Sequence, residues 1–267
     1  MTLTSSPDGP VVPDGPTVPD GPIGSAVPAT GDIVLREQTI GESWLAVARE
    51  ILENGRAEHY DGLPILEIEH ATLVVAAPDP DDALIARFGD PARLAWMRAN
   101  FVDHQRVEAL GGARSYASRF FDYAATGRDQ VAWVIDRLRH DPASRSATIT
   151  TFEPLSDTTY IPCVSMLDFW LRGHSGASEP GAAQPTAAVE LVVYAHSIDF
   201  GAKGYGNLTE LAIIQHQVAD ALQRPVGPLR FIVKSAHVYD TEQAEMRDIL
   251  DRAGDPPVAR PAAVAAG

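Results

Sequence analysis

Reactive and polar side chains gather where three apolar segments of this sequence end. Cys163, the one cysteine of the chain, directly precedes an apolar run. Ser197 and Asp199 follow a second apolar run, and His237 and Tyr239 close a third. A thiolate is a nucleophile for covalent catalysis, and neighbouring histidine and carboxylate groups move protons or hold a substrate. A lone cysteine beside a strand also occurs as apolar filler, so the grouping rather than the cysteine predicts a nucleophilic site.

The hydrophobic pattern predicts the elements that hold these side chains. Apolar residues at helical spacing predict helices over residues 41–54, 91–102, 129–140 and 207–222. Runs of β-branched and large apolar residues predict strands over 63–66, 71–77, 147–152, 164–171, 189–197 and 229–234, the last continuing toward Tyr239. Small residues over 173–185 predict a loop. Strands mixed with segregated helices indicate an α+β fold.

Composition divides the chain into three parts. Residues 12–16 and 18–22 repeat one Pro- and Gly-rich motif, and such a composition cannot form a core. We therefore expect a disordered arm over residues 1–32, a catalytic domain over 33–252, and a flexible Pro- and Ala-rich tail over 253–267.

The charge balance bears on partners and location. The chain carries 21 Lys and Arg against 36 Asp and Glu, a net charge of −15. Polyanions repel such a chain, so nucleic-acid and anionic-membrane binding are not expected. A single cysteine forms no internal disulfide, and we find neither a secretory signal pattern nor an apolar run of about 18 residues. We expect a soluble cytoplasmic protein.

Several motifs in order carry a resemblance to a known family. They are Ser115-Tyr116, the helix beginning at Asp129, the Asp141-Pro142-Ala143-Ser144-Arg145 segment, Pro162-Cys163, the block from Ser197 through Asp199 to Asn207, and His237-x-Tyr239. Together they resemble the thymidylate synthases and their nucleotide hydroxymethylase relatives. The resemblance implies a thymidylate synthase-like fold, with a mixed β-sheet packed against helices and a homodimer formed through the sheet.

The resemblance also implies a reaction. In that family a cysteine thiolate adds to C6 of a pyrimidine nucleotide, which makes C5 nucleophilic toward the methylene of 5,10-methylenetetrahydrofolate. Cys163 would be this nucleophile. Tyr116 and Asp82 would belong to the water network that moves protons, Asp82 by its distance from Gly89-Asp90.

Binding roles follow from the same residue-by-residue resemblance. Asn207 would contact the pyrimidine edge, His237 and Tyr239 the sugar hydroxyl, and Ser197 the phosphate. Asp199 would hold the pterin of folate, with the loop cation Lys203 on the cofactor side and also available to phosphate. Arg145 would reach the phosphate of the partner subunit across the dimer interface. Simpler readings are a helix N-cap for Asn207, a turn residue for Asp199, a solvated charge for Arg145, a surface acid for Asp82, and a mutually satisfied His237–Tyr239 pair.

The sequence departs from the family where phosphate is bound. His196 stands at the position of an arginine on the strand beside the cysteine, a doubled arginine is Arg145-Ser146, and no arginine matches near residues 59–62. We expect His196 to contact the substrate in place of that arginine. These departures predict weaker phosphate binding and leave a nucleoside substrate open.

Three functions follow as alternatives. The shielding tryptophans of thymidylate synthases have no clear match, since Trp96 is expected on a core face. We therefore expect water capture and a hydroxymethyl product, as in the CMP 5-hydroxymethylases of nucleoside-antibiotic biosynthesis, although Asn207 is more typical of uracil enzymes. The second alternative is reductive methylation of dUMP, and the third is a non-catalytic binding homologue.

Overall fold

A computed structural model describes residues 33–158, 160–172 and 187–254 of the chain. The α-helices are α1 (Ile40–Asn54), α2 (Ala83–Phe88), α3 (Pro91–Val102), α4 (Tyr116–Phe121), α5 (Gln130–His140), α6 (Gly204–Leu222) and α7 (Asp240–Ala253). The strands are β1 (Val34–Glu37), β2 (Arg56–Tyr60), β3 (Leu63–Val75), β4 (Arg106–Val107), β5 (Ala113–Arg114), β6 (Ala147–Thr150), β7 (Val164–Arg172), β8 (Ala188–Ala195), β9 (Ile198–Asp199) and β10 (Val226–Tyr239). A short 3-10 helix spans Glu108–Leu110.

One mixed sheet organises these elements. Its strand order is β1-β3-β10-β8-β7-β6, with β2 paired to β3 and β9 paired to β10. The strand β10 runs antiparallel to β3 but parallel to β8 and β9, while β7 is antiparallel to both β6 and β8. The predicted α+β class is confirmed.

Helices cover one face of the sheet and bury its apolar side chains. Leu73, Val193 and Phe231 lie in register on β3, β8 and β10 and are fully buried with the helices α1 and α6. The long helix α1 begins with a capping box between Thr39 and Glu42, which satisfies its first backbone N–H groups. Trp44 of this helix donates its indole N–H to the carbonyl oxygen of Phe200, at 2.9 Å. This bond ties α1 to the segment that follows β9.

The opposite face of the sheet keeps apolar side chains in solvent. Met166, Tyr194 and Ile232 form one cross-strand row over β7, β8 and β10. Met166 and Ile232 are both exposed, and Tyr194 between them is half-buried.

Most predicted elements are confirmed, although the hydrophobic pattern does not predict the short elements α2, α4, β1 and β2, and three further differences concern longer elements. The two strands predicted over 63–66 and 71–77 are the single strand β3, in which His70 adopts a left-handed conformation (φ 58°) and interrupts the pairing with β10. The helix predicted from residue 207 begins at Gly204. The charged helix α7 was not predicted.

Several sequence predictions lie outside the described residues. They are the disordered arm over 1–32, the loop over 173–185 and nearly all of the tail over 253–267. Within the described ranges no helix is long and apolar enough to cross a membrane.

Candidate active site

Three chain segments converge at one edge of the sheet, as the sequence predicts. The backbone N–H of His196 donates to the carbonyl oxygen of Cys163 at 3.0 Å, so the cysteine lies beside the end of β8. His237 of β10 pairs with Asp199 of β9 in parallel register. The thiol, the carboxylate and the imidazole therefore approach one another because adjacent strands end together.

A cavity of about 450 Å³ opens at this edge. Its size is typical of sites for small organic ligands. Most of the residues assigned from sequence line it, namely Tyr116, Cys163, Ser197, Asp199, Lys203, Asn207, His237 and Tyr239.

Cys163 is the only thiol of the chain, and it is partly buried in this lining. Burial raises the pKa of the thiol, because the low-dielectric surroundings disfavour its charged form. The hydrogen bond with Tyr160 and the positive charge of Lys203 lower the pKa, and the negative charge of Asp199 raises it. Together these effects hold the pKa of Cys163 above the ordinary value of a thiol, so hydrogen-bond donors near the sulfur decide how much thiolate forms.

Tyr116 lies beneath the cysteine at the start of α4. Its hydroxyl oxygen accepts a hydrogen bond from the backbone N–H of Val164, at 2.9 Å. Its own backbone N–H donates to the side-chain oxygen of Asn100, at 3.1 Å. Burial raises the pKa of Tyr116, so the phenol keeps its proton and can donate it in a hydrogen bond.

His237 presents a buried nitrogen that lacks a partner. Its Nδ1 lies 3.5 Å from the Ser197 hydroxyl, while its Nε2 has no hydrogen-bond partner in the described part of the chain. Burial lowers the pKa of His237 more than the charges of Asp199 and Glu67 raise it. A neutral imidazole with an open nitrogen suits a hydroxyl group of a ligand. The predicted His237–Tyr239 pair is a ring contact, with centroids 5.1 Å apart.

Asp199 combines a local structural bond with a place in the cavity lining. Its Oδ1 accepts the backbone N–H groups of Gly201 (2.9 Å) and Ala202 (3.1 Å), so the turn-residue reading holds in part. The carboxyl of Glu242 on α7 hydrogen-bonds Asp199, and burial with this neighbouring charge raises the pKa of Glu242 to about 7. A Cβ added at Gly201 would lie 2.5 Å from Glu242 Oε2, so glycine provides the space for this carboxyl pair.

Asn207 and Lys203 come from the start of α6. Lys203 is the N-cap residue of the helix, and the Asn207 side chain donates to the Lys203 carbonyl oxygen at 3.1 Å. The alternative that Asn207 is an N-cap is therefore wrong, because the helix begins three residues earlier. Both residues line the cavity.

The structure does not bring Asp82 to the cavity. Asp82 caps α2, where its Oδ1 accepts the N–H groups of Leu84 (2.7 Å) and Ile85 (3.0 Å). Its Oδ2 accepts the N–H of Gly41 at 2.9 Å, and the side chain is buried. The expected place in a catalytic water network and the surface-acid alternative are both corrected, because three backbone donors occupy this carboxylate.

His196 and Arg145 also lie outside the described cavity lining. His196 Nδ1 is 3.1 Å from the Ser165 hydroxyl, and burial lowers the pKa of His196, so it does not replace the charge of an arginine. Arg145 is exposed, with its guanidinium 5.9 Å from the Trp170 ring centroid. Trp170 is on β7, two positions from Asp168 and four from Met166, so Arg145 lies beside the open face of the sheet.

Four charged or aromatic residues of the lining were not assigned from sequence. Tyr60 and Asp61 belong to the β2–β3 hairpin, whose two-residue Asp61-Gly62 turn has both φ angles positive. Tyr60 hydrogen-bonds Ser197, and its ring lies 5.5 Å from that of His237. The Asp-Gly pair between two strand-like runs is a hairpin signal and could have located this turn.

Trp96 and Tyr160 are the other two unassigned lining residues. Trp96, which is expected on a core face, packs against the hydrophobic core and also lines the cavity from α3. Tyr160 was noted only as a neighbour of the cysteine, and its hydroxyl points toward the sulfur. No pattern in the sequence indicates that the side chains of Trp96 and Tyr160 point into the cavity.

Comparison with known proteins gives consistent matches. A family model described as "Thymidylate synthase" matches residues 88–262. A protein of Methanosarcina mazei named "Putative thymidylate synthase" is 25% identical over 226 residues, covering 81% of this chain and 94% of the relative. A protein of the same name from Methanothermobacter marburgensis is 28% identical over 231 residues, covering 79% of this chain and 95% of the relative. The "Thymidylate synthase" of Rhizobium rhizogenes is 29% identical over 126 residues, covering 46% of this chain and 40% of the relative.

Proposed function

We propose a function for this chain from one established fact, which is that it belongs to the thymidylate synthase family. The proposed reaction is hydroxymethylation of a pyrimidine nucleotide at C5, with CMP as the first candidate and methylenetetrahydrofolate as the one-carbon donor. The observation that carries it is the shared cavity in which Cys163 lies with Asp199 and His237.

Cys163 performs the covalent step. Its thiolate forms a bond to C6 of the pyrimidine, and the C5–C6 π pair moves toward C4. The product is an enolate or enamine in which C5 is a nucleophile. When bound, methylenetetrahydrofolate supplies an electrophilic methylene carbon to C5. After the C5 proton leaves and the bond to the folate nitrogen breaks, an exocyclic methylene remains on the pyrimidine. Water then bonds to that carbon and loses a proton to solvent, and the π pair of the exocyclic methylene becomes the C5–C6 double bond. The S–C6 electron pair leaves with Cys163, which is released as a thiolate.

The lining suits both a pterin and a sugar. Trp96 offers an aromatic surface and Asp199 a carboxylate, which together match the stacking and hydrogen bonding of a pterin. The open Nε2 of His237 and the hydroxyl of Tyr239 suit a sugar hydroxyl. Residues present in the cavity therefore fit a nucleotide together with folate.

The hydroxymethyl outcome rests on phenols near the sulfur. Tyr116 and Tyr160 line the cavity around Cys163, and both keep their protons. The exocyclic carbon is attached to C5, the ring atom next to C6, so these hydroxyls are positioned to hold a water at the exocyclic methylene. The alternative of reductive methylation is favoured by Trp96, whose place in the lining allows it to shield that carbon.

The described lining holds few cations for a phosphate. Lys203 is the one lysine or arginine in it, and Asp61 and Asp199 carry negative charge. We therefore keep the expected homodimer as part of the proposal, with Arg145 of one copy serving the phosphate site of the other. The row of Met166, Tyr194 and Ile232 supplies an apolar face for that contact.

One experiment separates the alternatives. The protein is incubated with methylenetetrahydrofolate and each of CMP, dCMP, UMP and dUMP, and the product is weighed by mass spectrometry. A gain of CH2O with tetrahydrofolate remaining supports hydroxymethylation, and a gain of CH2 with dihydrofolate replaces it with methylation. The matched variants Cys163→Ala and Cys163→Ser should abolish either product. Failure of the wild-type protein to exchange the C5 hydrogen of any of these substrates would instead favour a binding homologue.

A further inference from the structure

The phenol of Tyr160 lies beside the sulfur of the proposed nucleophile. Its hydroxyl oxygen is 3.9 Å from Cys163 Sγ, within reach of an O–H···S hydrogen bond. It lines the same cavity, and it belongs to the segment that leads through Pro162 to the cysteine.

We propose that Tyr160 is a further catalytic residue, which donates a hydrogen bond to the Cys163 thiolate when that thiolate forms and when it is released. This inference rests on the proposed role of Cys163 as the nucleophile. It assigns to a phenol part of the stabilisation that His196 does not provide, because His196 is neutral and lies outside the cavity lining.

The surroundings make Tyr160 a donor. Burial, with the neighbouring Tyr116 and Cys163, raises the pKa of Tyr160 far above that of a free phenol. The hydroxyl therefore keeps its proton beside a thiolate and directs it at the sulfur, and charge-assisted hydrogen bonds of this kind are stronger than neutral ones.

Some other groups near the sulfur stabilise the Cys163 thiolate, and others destabilise it. Lys203 stabilises the thiolate from the start of α6, and the backbone near Cys163 contributes a further hydrogen bond. Asp199 on β9 opposes the negative charge. Tyr116 on α4 and Tyr60 on β2 are neutral phenols whose own ionisation the thiolate disfavours. Lys203 alone among these groups brings positive charge, so a second donor matters.

The proton and electron balance is simple. The thiol proton leaves to solvent, and Tyr160 retains its own proton throughout. Formation of the S–C6 bond turns the sulfur into a thioether, which is a weak acceptor, so the hydrogen bond weakens. When the S–C6 bond breaks, its electron pair returns to sulfur and the same hydroxyl stabilises the departing thiolate.

The rate of Cys163 alkylation by iodoacetamide, measured against pH on the free protein, tests this inference. Because the chain has one cysteine, every modified thiol is Cys163. Tyr160→Phe should move the midpoint to higher pH and lower the thiolate fraction below the midpoint about tenfold, the effect of losing one hydrogen bond to a charged group. Tyr123→Phe removes a phenol outside the cavity lining, whose hydroxyl donates to the carbonyl oxygen of Phe152, and it should leave the midpoint unchanged.

A second variant separates donation from packing. Tyr160→Gln keeps a hydrogen-bond donor and should restore most of the wild-type midpoint, whereas equal shifts in the phenylalanine and glutamine variants would overturn the inference. An unshifted Tyr160→Phe curve, with wild-type thermal unfolding, would also overturn it. No substrate enters this measurement, so it stands apart from the C5 hydrogen exchange that tests the proposed function. Loss of exchange in the wild-type protein would reject the function, and an unshifted midpoint would reject the role of Tyr160.

Discussion

Burial favours the uncharged form of three titratable groups, which are Cys163, His237 and Glu242. Burial raises the pKa of the thiol and of the carboxyl and lowers that of the imidazole, so each favours its uncharged form. Lys203 and Asp199 also face this region. The site therefore holds mostly neutral donors and acceptors before a ligand binds, and ionisation at Cys163 depends on directed hydrogen bonds.

Glu242 predicts a specific dependence of stability on pH. Below its ordinary pKa of 4.5 the folded and unfolded states both hold the proton. Between that value and about 7 only the folded state holds it, so the free energy of unfolding falls as pH rises, and above about 7 the loss is complete. Glu242→Gln removes this loss and should raise Tm more at about pH 8 than at about pH 5. Asp251→Asn, at an exposed position on the same helix, is the control in thermal unfolding. An equal change in Tm at both pH values would contradict the prediction.

Short capped elements hold the frame around the site, and α2 is the clearest case. Asp82 supplies both the N-cap of α2 and a bond to the first turn of α1. This carboxylate is the one that the family resemblance assigns to catalysis, but its three N–H partners give it a structural task.

Asp82 should therefore affect stability without removing the proposed chemistry. Asp82→Ala leaves buried N–H groups unpaired and should lower the free energy of unfolding by about 2 kcal/mol, at the upper end for a lost cap. Asp82→Asn keeps one acceptor oxygen and should cost less. Chemical denaturation measures both, and C5 hydrogen exchange should persist in the folded fraction. Abolished exchange in a fully folded Asp82→Asn protein would restore the catalytic assignment.

The sequence predicted long periodic elements better than the local geometry that positions the site. The helices over 91–102 and 129–140 follow from their apolar stripes. The pattern divides β3 in two because polar residues surround His70, where the pairing with β10 is interrupted. The convergence of Cys163, Asp199 and His237 followed from strand ends and family resemblance. The directions of Trp96 and Tyr160 depend on tertiary packing, which no local pattern encodes.

The whole molecule leaves one sheet face without a helix layer in the described ranges. The row of Met166, Tyr194 and Ile232 crosses three strands of this face, and Met166 and Ile232 are 39% and 37% exposed. Arg145 lies beside Trp170 of the same face. Hydrophobic side chains grouped in this way mark an interaction surface. In the proposed homodimer, a second copy on this face would add Arg145 to Lys203, the one lysine or arginine of the described lining.

Ile232→Glu should separate the proposed dimer. A charge at the centre of an apolar contact is costly to bury, so sedimentation velocity should show a monomer where the wild-type chain shows a dimer. Binding of CMP should weaken with it, since the second copy's arginine is lost. Leu155→Glu, at an exposed position away from the sheet, is the matched control and should leave the dimer intact. A wild-type chain that sediments as a monomer and still binds CMP would refute the shared site.

The β2–β3 hairpin brings a charged residue to the cavity lining on a segment that lies outside the hydrophobic core. Its strand β2 is largely exposed, and the turn that carries Asp61 projects into the cavity from a two-residue connection. Exchanging Asp61 for asparagine or glycine, which tolerate its positive φ, changes the charge that a ligand meets without repacking the interior around Trp44 or Phe231. In evolutionary terms, such a turn allows single substitutions to broaden or redirect ligand preference while thermodynamic stability is conserved.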